Sequence, residues 1–152
     1  MKNLSVLLIS IFFFSCQQRA PKNNVSSTAS DSIAVQKKVE VNQQIGDTIL
    51  MNFTNEKGLY TAETSLDSIR SKIYVKFRND KTGDLTANIK AEGNIRFNQI
   101  IFPDKTSDGP FSKELKIHLE QKGDYFLIIG HSLMADNPFY GKFKVQLDIQ
   151  KE

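Results

Sequence analysis

Apolar and polar residues alternate with a period of two over much of the C-terminal part of this 152-residue chain. The alternation is clearest in residues 143–149 and 115–119, where lysine, glutamine, aspartate and His118 separate the apolar positions. A strand with one face on a core and the other in water has this period. Shorter runs of the same kind predict three more strands, around residues 49–53, 73–77 and 85–89.

Two other runs, residues 95–102 and 125–129, are apolar on both faces, and they predict central strands that are covered on both sides. Segments with glycine, asparagine and aspartate separate the predicted strands, and no amphipathic helical period lies between them. The pattern therefore predicts an all-β domain. We expect an antiparallel, jelly-roll-like β-sandwich of about 7–8 strands.

The first sixteen residues have a different pattern. Lys2 precedes an apolar run over residues 4–14, and Ser15 then precedes Cys16, the single cysteine of the chain. A positive start, a short apolar run and a small residue at the cut describe a secretory signal. With cysteine at the cut, the segment resembles the lipoprotein leaders of Bacteroidota, although Phe13 and Phe14 stand where the usual motif has leucine and a small residue.

The resemblance implies that Cys16 carries a covalent lipid and holds the protein at the outer membrane. The alternative is an ordinary thiol that is removed with the leader. We expect a signal peptide over residues 1–15, a lipidated cysteine and flexible linker over 16–45, and the sandwich over 46–152. The linker composition is too polar to form a core, although residues 33–41 allow a short strand. Among the lipoproteins that the leader resembles, those sent to the cell surface usually carry an acidic cluster just after the cysteine. No acidic residue precedes Asp31 here, so the resemblance implies a periplasm-facing position.

Charge excludes one class of partner. The chain has 20 basic and 17 acidic residues, of which five and two precede residue 46, so the predicted sandwich has fifteen of each. A neutral domain has no general electrostatic attraction to nucleic acid, and we expect no nucleic-acid partner.

The order of motifs in residues 95–149 resembles a known group of sandwiches. Phe102-Pro103 ends one strand, Gly123-Asp124-Tyr125 opens the penultimate strand, and Tyr140-Gly141 precedes the last strand. This order resembles the second half of the pre-peptidase C-terminal family and of the periplasmic inhibitors of g-type lysozyme. The resemblance implies a β-sandwich whose last loop, rich in arginine in those inhibitors, enters the enzyme. Here residues 131–138 contain no arginine.

The loop between the last two predicted strands is the candidate partner-binding segment, because loops on a rigid sandwich often carry binding residues. Its predicted contact residues are His131, Ser132, Asp136 and Asn137. The alternative is a structural cap, in which Leu133 and Met134 plug the end of the sandwich. A catalytic pair of His131 and Ser132 is not expected, since adjacent residues on an extended chain point to opposite faces.

A second candidate site is a calcium loop with oxygen ligands at alternate positions, Asp104, Thr106 and Asp108, followed by Gly109. Leu115 stands where an EF-hand needs glutamate, so an EF-hand is excluded. An Asp-Gly turn explains the same residues without metal.

Together these patterns predict a non-enzymatic, lipid-anchored envelope module that binds a protein. The partner is either another envelope protein or a cell-wall hydrolase such as lysozyme, which the module would inhibit. One alternative is a sandwich that binds a glycan or calcium through residues 104–109 and 96–98. Another is a structural envelope lipoprotein without a ligand. No cofactor other than the lipid is expected, and the partner's identity and the oligomeric state are left open.

Overall fold

The computed structural model describes residues 41–68, 70–132 and 134–152, and within these ranges it contains ten strands and no helix. The strands are β1 (Gln43–Ile45), β2 (Thr48–Met51), β3 (Tyr60–Leu66), β4 (Ile73–Asn79), β5 (Gly83–Lys90), β6 (Arg96–Ile101), β7 (Ser107–Asp108), β8 (Glu114–Leu119), β9 (Gly123–Gly130) and β10 (Gly141–Lys151). The all-β prediction is confirmed.

The strand count exceeds the predicted seven or eight because three strands are hard to recognise from the sequence. Strands β1 and β7 have only three and two residues. Strand β3 buries Ala62, Thr64 and Leu66, and the small or polar character of the first two hides its alternation.

The strands form two sheets, and the predicted antiparallel sandwich is confirmed. The six-stranded sheet has the order β1-β2-β4-β9-β6-β7, and the four-stranded sheet has the order β3-β10-β5-β8. Strands β2 and β4 form the one parallel pair among these neighbours. Strand β6 has a bulge between Phe97 and Gln99 where it pairs with β9.

The core lies between the two sheets and has aromatic residues at its centre. Tyr125 stacks on Phe77 with 5.3 Å between ring centroids, and Phe102 packs edge-on against Tyr125. Strand β9 is central, as predicted, but the described residues provide no third layer outside it. Neighbouring side chains cover its outer face instead, so Ile128 is 7% exposed and Phe126 is half-buried under the ammonium group of Lys76.

The Gly-Asp-Tyr motif closes the turn before β9. The Tyr125 hydroxyl donates to the carbonyl of Gln121 at 2.7 Å and accepts from the Gln121 amide at 3.2 Å. Gly123 has φ 138° and lies against Pro103, which leaves no room for a Cβ. The Asp124 carboxylate meets the Lys76 ammonium at 2.8 Å, and this hydrogen bond lowers the pKa of Asp124. The motif is thus accounted for by folding alone.

Strand register defines two ends of the sandwich. Ile73 pairs with Ile129, and Leu66 pairs with Gly141, so the connections 46–47, 67–72 and 131–140 lie together at one end, which we call the loop end. At the other end Asn79 pairs with Gly123. The chain enters β1 at that end, because Gln43 pairs with Leu50 near the end of β2. We call it the entry end.

The paired sheet begins at Gln43, three residues before the predicted start of the sandwich at Gly46. Residues 1–40, which include the predicted leader, Cys16 and most of the linker, lie outside the described residues, so those assignments stay predictions. In the part of the chain that is described, no helix is long and apolar enough to cross a membrane.

The side chain of Asn42 ties the entering chain to both sheets. Its amide nitrogen donates to the carbonyls of Phe53 and Thr61, and its oxygen accepts from the amides of Asn52 and Phe53 at 2.8 Å. We expect Asn42→Ala to lower the free energy of unfolding by about 0.5–1.5 kcal/mol, because water replaces the three exposed hydrogen bonds in part and the partly buried bond to Thr61 is lost. Urea unfolding measures the loss. Asn52→Ala is the control, since Asn52 contributes its backbone to this cluster, and an equal loss in both variants would contradict the assignment.

Candidate functional site

The β9–β10 loop, residues 131–140, is held from outside by Asn94, which lies in the β5–β6 connection. The Asn94 side-chain nitrogen donates to the carbonyl of Ser132 at 2.9 Å and to that of Ala135 at 3.3 Å. Its oxygen accepts from the Ser132 amide at 3.1 Å, and its backbone forms a bridge with Pro138. Asn94 therefore fastens the first arm of the loop with its side chain and the second arm with its backbone.

His131 closes the same loop from inside. Its side chain is 5% exposed, its Nε2 bonds the carbonyl oxygen of Phe139, and its ring lies 5.7 Å from the ring of Tyr140. Phe139 packs edge-on against Phe143 and next to Gly93, which joins the loop to the core. His131, predicted as a contact residue, is thus placed where it positions the loop.

The middle of the loop projects into solvent. Met134 is 97% exposed and Tyr140 is 55% exposed, while Asp136 and Asn137 are also exposed. Asn137 has φ 62°, a left-handed conformation that asparagine adopts more readily than most residues. We call residues 134–137 the apex of the loop. The apex therefore presents an apolar side chain, a carboxylate and an amide, and the residues on either side of it are held in place by Asn94 and His131.

The cap alternative does not describe Met134, because a side chain that is 97% exposed does not plug the core. Leu133, the other predicted plug, lies outside the described residues. Phe139 performs the covering role in the structure. The sequence did not single out Asn94 or Phe139, since their contacts join segments far apart in the chain, although Asn94 already stood in a predicted turn.

The candidate calcium residues lie toward the entry end, away from the loop. The Asp104 carboxylate accepts from the amide and hydroxyl of Thr106 and from the side chain of Gln121, and these hydrogen bonds lower the pKa of Asp104. Asp108 accepts from the amide of Gly109. No group of three or more His, Cys, Asp or Glu side chains within the described ranges could hold a metal ion. These bonds stabilise a turn, and calcium binding here stays a prediction.

His118, a polar position on the predicted water-facing side of its strand, forms a cross-strand pair with Asp84. Its Nδ1 lies 2.8 Å from an Asp84 oxygen, and this hydrogen bond raises the pKa of His118. A raised folded pKa means that the pair stabilises the fold below about pH 6.5 and that this contribution is lost as pH rises through the folded pKa.

We expect an NMR titration to give His118 a pKa above 6.5 and Asp84→Asn to lower it toward that value. Glu120→Gln is the matched control, because Glu120 acts on His118 through charge alone and more weakly. An unchanged His118 pKa in Asp84→Asn would show that the pair does not persist in solution.

No protein-family model matches the chain, and no curated protein matches it in sequence. Solved structures do match. A crystal structure of Aeromonas hydrophila PliG, a periplasmic lysozyme inhibitor of g-type lysozyme, covers 68% of this chain and 96% of its own, with 17% identity and a TM-score of 0.55. Salmonella Typhimurium PliG covers 70% of this chain and 100% of its own, with 16% identity and a TM-score of 0.52. The chain shares their fold.

The likeness extends beyond the segment on which the sequence resemblance rests. Residues 95–149 are about a third of the chain, whereas the structural match spans 68–70% of it. The inhibitor-like fold predicted from the order of motifs is confirmed. At 16–17% identity the match concerns the fold, and the pre-peptidase C-terminal resemblance stays a prediction.

Proposed function

We propose that this protein is an envelope binding module that inhibits a g-type lysozyme through the β9–β10 loop. The proposal rests mainly on the exposed apex, where Met134 is 97% exposed. The loop that carries it is held by three hydrogen bonds from the Asn94 side chain. A loop ordered before binding loses less conformational entropy when it meets a partner. An exposed apolar side chain on such a loop is suited to a pocket or cleft on another protein. The fold shared with two lysozyme inhibitors supports the choice of partner.

We further propose that the protein is not an enzyme. The histidine of the loop bonds the carbonyl of Phe139, and the Ser132 backbone is held by Asn94. A nucleophile needs a general base within hydrogen-bond reach, and the second ring nitrogen of His131, Nδ1, is buried with no hydrogen-bond partner among the described residues, so it does not bond the Ser132 hydroxyl.

The test is inhibition of a panel of c-, g- and i-type lysozymes by the full-length protein, purified in detergent. We expect inhibition of the g-type enzyme. A triple variant with alanine at Ser132 and Asp136 and glycine at Asn137 should weaken it by at least tenfold with little change in thermal stability, because the side chains of Asp136 and Asn137 are exposed and glycine adopts the left-handed conformation of residue 137 without strain. The matched control is a triple variant with alanine at Asp104, Thr106 and Asp108, which removes similar groups toward the other end. Flat activity across the panel, or equal losses in both variants, would overturn the proposal.

We also propose that Cys16 carries the lipid and that the protein faces the periplasm from the outer membrane. The support is the leader pattern of residues 1–16 and the periplasmic location of the two inhibitors that share the fold. Lasting attachment needs more than one acyl chain, and Cys16 is the residue that would carry the lipid. Cys16→Ser removes this anchor and should therefore move the protein from the membrane fraction to the soluble fraction. Retention of Cys16→Ser in the membrane fraction would contradict lipid anchoring at this residue.

A further inference from the structure

A cleft of about 470 Å³ lies at the loop end, between the β1–β2 turn and the β3–β4 connection, and neither the loop contacts nor the proposed inhibition uses it. Its chemistry-bearing lining residues are Gln44, Asp47, Asp67, Arg70, Lys72 and Tyr74. The cleft is next to the start of the β9–β10 loop. A Cβ placed on Gly130 would lie 3.5 Å from the carbonyl oxygen of Ser71 and 3.8 Å from the Lys72 side chain.

The four charges of the cleft do not pair with one another. The ion pairs formed by the described residues involve other side chains, and Asp47, Asp67, Arg70 and Lys72 take part in none of them. Each carboxylate instead accepts one hydroxyl, from Thr48 to Asp47 and from Ser65 to Asp67. Two cations and two partly free carboxylates therefore stand around one opening, more than ion-pair distance apart.

This arrangement favours a neutral ligand rich in hydroxyl groups. Two positive and two negative side chains cancel, so the cleft attracts neither a net anion nor a net cation strongly. A hydroxyl both donates and accepts, and it can bond a carboxylate with its hydrogen and a cation with its lone pairs. Adjacent hydroxyls of a sugar ring can bridge carboxylates and cations that stand too far apart to pair. The half-buried Tyr74 adds an aromatic ring for the apolar face of such a ring.

We propose that this cleft is a carbohydrate-binding site, separate from the loop proposed to bind lysozyme and independent of that inhibition. Arg70 and Lys72 donate to sugar oxygens, and Asp47 and Asp67 accept from sugar hydroxyls. Gln44 forms one wall of the cleft, because both ends of its side-chain amide are already bonded. The nitrogen donates to the carbonyl of Gly46, and the oxygen accepts from the hydroxyl of Thr64.

The test is an NMR titration of the full-length protein in detergent with three neutral trisaccharides: triacetylchitotriose, cellotriose and maltotriose. We expect at least one to cause saturable shifts confined to amides of residues 44–47 and 65–74. Arg70→Gln and Asp67→Asn should each weaken that binding about tenfold, the usual cost of one hydrogen bond to a charged group. Arg78→Gln and Asp80→Asn are the matched controls, because they break an exposed ion pair toward the other end.

Three results would overturn the proposal: no saturable shift with any trisaccharide, shifts centred outside the cleft, or shifts produced by the zwitterion glycylglycine but by no sugar. The last result would identify a site for peptide termini instead. Circular dichroism of each variant confirms that it folds. Lysozyme inhibition is measured separately on the same samples, so failure of the sugar site and failure of the inhibitor proposal are told apart.

Discussion

Met134→Glu is expected to reduce lysozyme inhibition by at least about 30-fold while leaving the thermal unfolding temperature unchanged. Met134 is 97% exposed, so the fold gains no packing from it and loses none in the variant. In a complex the same side chain would be buried, and a carboxylate there loses its hydration without a partner. Central apolar contacts that are lost from an interface commonly cost 2 kcal/mol or more in binding free energy. The measurement is the inhibition constant against the g-type enzyme.

Two controls separate this effect from a general effect of added charge. Val41→Glu places the same carboxylate on an exposed apolar residue near the entry end and should leave inhibition unchanged. Met134→Leu keeps an apolar side chain and should retain most of the affinity. If Met134→Glu inhibits as well as the natural protein, the apex does not lie in the interface.

Asn94→Ala is expected to release the loop. The substitution removes three hydrogen bonds to residues 132 and 135 and should lower the free energy of unfolding by about 1–3 kcal/mol. Inhibition should weaken by about tenfold, because a loosened loop must be ordered again when it binds. Amide hydrogen exchange should accelerate in residues 134–140, while the core strands keep their order of protection.

Asn55→Ala is the matched control for this prediction. Asn55 holds the β2–β3 turn toward the entry end, where its side chain accepts from the amides of Lys57 and Leu59. Its removal should lower stability without affecting inhibition or exchange in the β9–β10 loop. Unchanged loop exchange in Asn94→Ala would show that the loop is ordered by the core contacts of Phe139 and His131 alone.

Strands that bury large apolar residues at alternate positions could be predicted from the sequence. Strands β8 and β10 show this directly, because leucine, isoleucine, valine and phenylalanine occupy every second position. Strand β3 was not predicted, because its buried positions include Ala62 and Thr64. The buried Thr64 hydroxyl is satisfied by its hydrogen bond to the Gln44 side chain. That partner lies twenty residues away, and local periodicity carries no information about it.

The candidate site could be predicted as a segment but not as a geometry. The position of the loop followed from the two strands that flank it. Which of its residues are buried, as His131 is, and which are exposed, as Met134 is, depends on contacts made after folding. One of them comes from Asn94, which bonds Ser132 from 38 residues away in the chain. The cleft could not be predicted from the sequence either, since its walls come from the β1–β2 turn and the β3–β4 connection, which only the folded topology brings together. Contacts of this kind arise from topology rather than from sequence spacing.

The entry of the chain at the end opposite the loop has a mechanical consequence. A protein held on its N-terminal side and gripped at the loop is pulled along its strands, because β1 begins at the entry end and the loop projects from the other. Tension then slides β1 along β2, and the three residue pairs of β1 and the four hydrogen bonds of Asn42 share the load. Tension across the strands would instead break these contacts one at a time. Under the proposed anchoring at Cys16 and partner binding at the loop, a captured partner would therefore load the β1–β2 pairing in shear, so that these contacts resist together.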